Sequence, residues 1–153
     1  MKKFALGLIV GVCLVPACVY VYFRLGYAPV ATAAAPLPFE KSLTRMALHA
    51  RIDKEAPSTA PMPANEANLT AGAQVYREHC AVCHGISGEP LNAIAKGMFP
   101  RPPHLLHGTG VTDDPVGETY WKATNGIRLT GMPAFRGALT DQQLWQVCMV
   151  IDM

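Results

Sequence analysis

The stretch Cys80-Ala81-Val82-Cys83-His84 places two thiols and an imidazole within one short segment of the chain. In a C-x-x-C-H pattern, both thiols can add to the two vinyl groups of a haem and form thioether bonds. The histidine that follows the second cysteine is then delivered to the iron. The distance between the vinyl groups and the position of the iron dictate this spacing, so the pattern is chemically demanding. It predicts one haem c, bound covalently through Cys80 and Cys83, with His84 on the iron.

Two other kinds of site can use a closely spaced cysteine pair. A thioredoxin-like redox pair follows a strand, whereas the residues before Cys80 have the pattern of a helix. A structural zinc ion needs two more ligands; His104 and His107 are available, but their spacing is shorter than the usual H-x3–5-H. The chain has five cysteines, and an odd number with one close pair is a poor disulfide framework. A haem site is therefore the favoured interpretation.

The residues around this motif have the pattern of short helices. Asn68 can cap a helix that runs to about His79, and a second helical turn is predicted at 92–96. Asp114 before a proline favours another helix start, with Gly126 at its end. The sequence from Thr140 to Gln143 is a capping box, which opens a helix that continues through Ile151. No segment makes a convincing strand, so the predicted fold class is all-α.

Residues 68–153, a little over half the chain, resemble a class I c-type cytochrome domain. Three separated pieces carry the resemblance: Gly72–Tyr76 leading into the cysteine motif, Asn125–Arg128 leading into Gly131-Met132-Pro133-Ala134-Phe135, and the helix Leu139–Ile151. The resemblance implies a cytochrome c fold of a few short helices around one haem. It also implies that this protein is an electron carrier and not an enzyme by itself.

The resemblance further implies the two iron ligands. His84 is the expected proximal ligand and Met132, 48 positions later, the expected distal ligand. A thioether is a soft, neutral ligand that favours ferrous iron, so a His/Met pair raises the reduction potential. The carbonyl of Pro103 is expected to bond the proximal histidine and fix its ring. Met98 is the competing thioether and is expected to pack.

Several further residues have weaker predicted roles. His104 is expected to be hydrogen-bonded or exposed near the proximal ligand and not bound to iron. Arg101, Tyr120 and Trp121 are candidates for hydrogen bonds to the haem propionates, each with an ordinary surface or packing alternative. The placement of Pro103 and His104 depends on the long, proline-rich segment 86–105, unlike that of the haem motif itself.

Two residues predict how the helices pack. Gly72 and Tyr76 lie one helical turn apart and are expected to let the first helix of this domain cross the last one closely, against Trp145. Cys148 in that last helix is expected to be a buried free thiol. These are folding features without chemistry.

The N-terminal segment reads as a membrane anchor. Residues 4–23 carry no charge, with Lys2 and Lys3 before them and Arg24 after them. About 20 apolar residues in a helix span the hydrocarbon core of a bilayer. The charge bias predicts a single-pass inner-membrane protein, anchored by residues 1–24 with its haem domain in the periplasm. A cleaved signal peptide ending near Ala33 and a lipoprotein with lipidated Cys18 are the alternatives.

Residues 25–67 are rich in alanine and proline and predict a linker that contains a short amphipathic helix near 40–54. Apolar residues recur at helical spacing in that helix, at Phe39, Leu43, Met46, Ala47 and Ala50. This stripe could rest on the membrane surface, on the following domain or on a partner subunit.

Charge and composition bound the partners. The formal net charge is +2, and no basic stripe interleaved with aromatic residues supports binding of nucleic acid. With both axial positions filled by protein, the iron has no place for a small-molecule substrate. The predicted partners are redox proteins in or near the same membrane, in a respiratory or dehydrogenase-linked chain. The alternatives are a haem enzyme or gas sensor with a labile distal ligand, and a docking subunit of a larger oxidoreductase complex.

Overall fold

The computed structural model describes residues 2–106 and 114–153, and these residues form helices and connecting turns without any strand. The helices are α1 (Lys2–Arg24), α2 (Glu40–Glu55), α3 (Glu66–Val75), α4 (Ala81–His84), α5 (Ala93–Gly97), α6 (Val116–Asn125) and α7 (Asp141–Ile151), with a π-helical turn at Tyr76–Cys80. The mostly helical structure agrees with the predicted all-α class. The chain divides into two compact units, Met1–Lys41 and Ser42–Met153.

The first unit contains α1, whose 23 residues have a mean hydropathy of 2.5 in their most apolar window. By length and composition this helix can cross a membrane, and a signal sequence near an N-terminus passes the same test. Large apolar side chains along it, among them Phe4, Leu8 and Ile9, are exposed. The residues that follow, 25–39, form turns and irregular segments.

The core of the second unit lies where α3 crosses α7. At Gly72 the helices are so close that a Cβ would lie 2.1 Å from the backbone oxygen of Gln146, which confirms the predicted close crossing. Trp145 instead stacks on Tyr120, with ring centroids 3.9 Å apart. The core side chains come mainly from these two helices: Val75, Tyr76, Leu139, Leu144, Val147, Cys148 and Ile151. Cys148 is fully buried, as predicted.

The helix starts differ in detail from the sequence-based expectations. Asn65, not Asn68, caps α3, because its side-chain oxygen accepts the N–H of Asn68 at 3.0 Å. Asn68 lies within the first turn, where its own side chain bonds the Pro63 carbonyl and Gln146. Helix α6 has Pro115 at its cap position, since the side chain of Asp114 pairs with a lysine instead of capping. The predicted start and end of α5 are confirmed to within a residue.

The capping box that opens α7 is confirmed. Thr140 Oγ1 accepts the N–H of Gln143 at 3.3 Å, and the Gln143 side chain accepts the N–H of Thr140 at 2.9 Å. Replacing Thr140 with alanine is expected to destabilise the fold by about 1 kcal/mol, because the N–H of Gln143 loses the hydroxyl that accepts its hydrogen bond and the reciprocal pair is broken. Denaturant unfolding of the holoprotein measures this loss. Gln142→Ala on the exposed side of the same turn is the control, and an equal loss there would count against the role of the box.

Helix α2 packs on the following domain, but not through the stripe expected from the sequence. Leu43 and Met46 are 61% and 67% exposed, whereas Ile52 is 1% exposed and Leu48 is partly buried. Leu48 and Ile52 are also four residues apart and therefore share a face. The helix carries apolar residues on two faces, so helical spacing alone did not identify the one that packs.

Candidate haem site

A change in helical pitch positions the cysteine motif. Helix α3 runs into the π-helical turn Tyr76–Cys80, in which the Ala81 N–H bonds the Tyr76 carbonyl, and α4 then carries Cys83 and His84. Such π-turns inside helices are frequent at functional sites. The Tyr76 hydroxyl donates to the Gly85 carbonyl at 2.8 Å and ties the end of the motif to its start. A helix therefore precedes the cysteine pair, as the sequence predicted.

The motif opens into a cavity of about 490 Å³. This volume lies within the range of roughly 300–1,000 Å³ that small-molecule and cofactor sites occupy. Cys80, Cys83, His84 and Met132 all line it. The rest of its wall is mainly apolar and includes Leu48, Met98, Leu105, Phe135, Leu144 and Val147. Burial raises the pKa of Cys80 to about 11, with a smaller contribution from Cys83, so this thiol is protonated near neutral pH.

The His84 ring is oriented by a backbone carbonyl. Its Nδ1 lies 2.8 Å from the Pro103 oxygen, which confirms the predicted contact. A carbonyl only accepts, so Nδ1 carries the proton and Nε2 keeps its lone pair. Burial lowers the pKa of His84, against the opposite effect of the Pro103 carbonyl. The imidazole is therefore neutral near pH 7, which is the form that binds a metal.

The loop that carries Met132 is fixed by its own hydrogen bonds. The Met132 N–H donates to Thr130 Oγ1 at 3.1 Å, and the Met132 carbonyl accepts the Ile127 N–H at 3.2 Å. The Thr130 hydroxyl donates in turn to the Ile127 carbonyl at 2.7 Å. Beyond the loop, the Phe135 N–H bonds the Ala123 carbonyl of α6 at 3.0 Å. Backbone geometry thus holds this methionine at the cavity wall.

Thr130→Val is expected to loosen that loop, because valine keeps the shape of threonine but lacks the hydroxyl that both accepts and donates a bond. Losing these bonds should cost about 1–2 kcal/mol of stability. If Met132 is the distal ligand, as the sequence predicts, it should also leave the iron at a lower temperature, which the methionine-to-iron absorption band would report during heating. Thr130→Ser, which retains the hydroxyl, should behave more like the wild type. A band that persists equally in both variants would contradict the role assigned to the hydroxyl.

The competing ligands are placed differently. Met98 lines the same cavity, and a Cβ on Gly131 would lie 1.8 Å from its terminal methyl, so it packs against the loop of Met132. His104 Nε2 lies 3.1 Å from the Glu89 carbonyl. Among the described residues, the histidines on the cavity wall are His79 and His84. His107 lies outside the described residues.

The zinc alternative finds no support in the part of the chain that the structure describes. No three His, Cys, Asp or Glu side chains come together there in a way that could hold a metal ion.

Of the three candidates for propionate contacts, one lies at the cavity. Arg101 lines its wall. The Tyr120 hydroxyl donates to Asp141 while its ring stacks on Trp145, and Trp121 Nε1 donates to Glu55 Oε2 at 3.0 Å. Tyr120 and Trp121 therefore make stacking and side-chain hydrogen-bond contacts, the ordinary surface or packing alternative to a propionate contact.

Sequence reasoning missed several residues of the cavity wall. Lys122 lines it and pairs with Asp114 at 2.5 Å and with Glu118 at 3.5 Å. The spacing of Glu118 and Lys122 on one helix was a signal for their pairing, but nothing local showed which way the lysine faces. His79 also lines the wall, with its ring edge-on to Phe135.

The residues present fit a haem c. The thiols of Cys80 and Cys83, the neutral imidazole of His84 with its free lone pair and the thioether of Met132 line a single apolar cavity. Soft sulfur and imidazole donors are those that hold haem iron in c-type cytochromes. The donor atoms and the apolar wall of the cavity are therefore both those expected of a site for haem c.

Known proteins similar to this chain point the same way. Residues 67–148 match the family described as cytochrome C oxidase, cbb3-type, subunit III. Cytochrome c6 of Leptolyngbya boryana is 32% identical over 85 residues, covering 56% of this chain and 91% of that protein. The alcohol dehydrogenase (quinone), cytochrome c subunit, of Gluconobacter oxydans (strain 621H) is 34% identical over 85 residues, covering 50% of this chain. The matched part is 16% of that subunit's own length.

The fold is also similar to that of a solved structure. A chain of the reducing HAO-like protein complex of Kuenenia stuttgartiensis superposes with a TM-score of 0.53 and 24% identity, covering 63% of this chain and 48% of that one. The family match covers more than half of the chain and contains the cysteine motif, His84 and Met132. The chain is therefore a class I c-type cytochrome and belongs to the family described as cytochrome C oxidase, cbb3-type, subunit III.

Proposed function

We propose that this protein transfers single electrons through one haem c, attached by Cys80 and Cys83 and ligated by His84 and Met132. One observation carries the proposal: these four side chains line a single cavity, and the Pro103 carbonyl fixes His84 so that Nε2 keeps its lone pair. The relative named cytochrome c6 and the relative named as a dehydrogenase cytochrome subunit support a redox role.

Bound haem supplies a reversible one-electron change at its iron. The chain supplies everything else. His84 would hold the iron through the lone pair of Nε2, and the bond from Nδ1 to the Pro103 carbonyl makes Nε2 a stronger base. Met132 offers a neutral sulfur that favours the reduced state. The apolar wall keeps water from most of the site. If His84 and Met132 both hold the iron, no coordination position would remain for a substrate, and the chain would act as a carrier and not as an enzyme by itself.

The oxidised spectrum of the purified holoprotein tests this function. A weak red band from methionine sulfur to ferric iron is expected, together with a reduced spectrum that carbon monoxide does not change. A missing band, with a reduced spectrum that shifts under carbon monoxide, would instead favour a haem enzyme or gas sensor with an open position. Haem that extracts into acidic organic solvent would overturn the covalent attachment.

We also propose that α1 anchors the haem domain at the periplasmic face of the inner membrane. The helix has the length and hydropathy of a membrane span, and Lys2 and Lys3 precede it. With this anchor, we expect the redox partner to lie in or near the same membrane, in a respiratory or dehydrogenase-linked chain. The named complexes among the relatives support such partners, including a role as a subunit of an oxidoreductase.

Membrane extraction and N-terminal sequencing test the anchor. The holoprotein should stay with membranes after washing at high salt and high pH, and protease added to spheroplasts should release its haem domain. A mature chain that starts just after Ala33 would identify a cleaved signal peptide. A lipid on Cys18 would identify a lipoprotein.

A further inference from the structure

Residues 42–66 precede the part of the chain that matches the family, yet they belong to the same compact unit as the haem site. This segment has a buried side chain, a hydrogen bond and a close backbone approach that tie it to the unit. Ile52 is 1% exposed, and Glu55 Oε2 accepts a hydrogen bond from Trp121 Nε1 at 3.0 Å. The Pro57 carbonyl comes so near Gly117 that a Cβ there would lie 1.6 Å from its oxygen. The contacts of Glu55 and Pro57 hold the end of α2 and the residues just after it against α6.

These contacts bring one side chain of α2 to the haem site. Leu48 lies one helical turn before Ile52, on the same face, and lines the cavity together with the cysteine motif and Met132. Met46 on the same helix is 67% exposed. The wall around the cofactor is therefore completed by a residue that the family domain does not supply.

We propose that Leu48 closes one side of the haem crevice, and that Ile52, Glu55 and Pro57 are positioning residues that hold it there. This inference rests on the proposed function, because the cavity must be the one that takes the haem. Residues 42–66, which we call the strap, would then form part of the haem site as well as link it along the chain to the N-terminal unit.

A closed apolar wall has an electrochemical consequence. Ferric haem carries one more positive charge than ferrous haem, so a site that excludes water disfavours the oxidised state. A polar side chain at position 48 brings a dipole and water to the cavity and stabilises the oxidised state. The reduction potential should then fall, while both iron ligands stay in place.

Redox titration of the full-length holoprotein tests the strap. We compare the wild type with Leu48→Asn, Leu48→Met and Met46→Asn. The last variant places the same polar group on the exposed side of the same helix. Leu48→Asn should lower the midpoint potential with the methionine-to-iron band retained. Leu48→Met should have a midpoint potential close to that of the wild type, and Met46→Asn should leave the midpoint potential unchanged.

Hydrogen exchange tests the positioning contacts separately. Trp121→Phe removes the indole N–H that bonds Glu55 and leaves Leu48 and the iron ligands untouched. Backbone amides of residues 48–55 should exchange several-fold faster in this variant, with those of α7 unaffected. Equal midpoint potentials in Leu48→Asn and the wild type would overturn the role proposed for Leu48. Wild-type amides of residues 48–55 that exchange as fast as those of an isolated helix would overturn the proposed positioning contacts. A wild type without covalent haem would overturn the proposed function itself.

Discussion

Replacing Met132 with alanine is expected to abolish the methionine-to-ferric-iron band and to lower the reduction potential by tenths of a volt. The size of the effect follows from the chemistry of axial ligands, whose identity sets haem potentials over a range of about 0.8 V. If Met132 holds the iron as proposed, loss of its thioether would remove the ligand that favours ferrous iron. It would also leave a coordination position open, so the reduced variant should bind carbon monoxide. Optical spectra and redox titration measure all three changes.

Met98→Ala is the matched control for this prediction. Met98 lines the same cavity and its methyl packs on Gly131, next to Met132, so both variants remove an equal volume from one wall. Each should lose about 2–5 kcal/mol of stability if its side chain is well packed. Only Met132→Ala should lose the band. A band that survives in Met132→Ala and disappears in Met98→Ala would exchange the roles of the two residues.

The features that the sequence predicted are those fixed by local chemistry or supplied by the family resemblance. The cysteine motif has one demanding spacing, and the capping box at Thr140 needs only residues three positions apart. The bond from His84 to Pro103 joins residues 19 positions apart, and the family resemblance supplied it. The motif and the box each need few residue types at a defined separation, whereas local chemistry alone does not fix a separation of 19 residues.

The parts that could not be predicted depend on tertiary packing. Helix α2 has apolar residues on two faces, and only the position of its partner decides that Ile52 is buried while Leu43 is exposed. Asn65 and Asn68 are equally good caps in isolation, and the bond of Asn68 to Gln146 requires α7 to be in place. The wall position of Leu48 depends likewise on contacts from Glu55 and Pro57 to distant residues.

Gly72→Ala is expected to destabilise the fold by about 3 kcal/mol or more, at the upper end of the cost of overpacking a core. A Cβ at this position would lie 2.1 Å from the backbone oxygen of Gln146 and 2.9 Å from a methyl of Val150. The backbone atom belongs to a helix and has no rotamer that relieves the clash. Denaturant unfolding of the holoprotein measures the loss.

Gly97→Ala makes the same chemical change where there is space. Gly97 ends α5, and a Cβ there would meet nothing within 4 Å. Alanine favours a helix over glycine by about 1 kcal/mol, so this control should be neutral or slightly stabilising. The same propensity acts in favour of alanine at position 72, so a loss measured there is the cost of the clash less this gain. Equal stabilities for the two variants would mean that the helices do not cross at Gly72.

The damage at Gly72 should extend to the haem site because of how the helices connect. Helix α3 continues through the π-helical turn into Cys80, while α7 supplies Leu144 and Val147 to the cavity wall. Moving the two helices apart also strains the bond from Gln146 Nε2 to Asn68 Oδ1, whose length is 3.0 Å. The yield of covalently attached haem should therefore fall in Gly72→Ala and stay unchanged in Gly97→Ala. A destabilised variant with full haem content would show that the crossing supports the fold without positioning the attachment site.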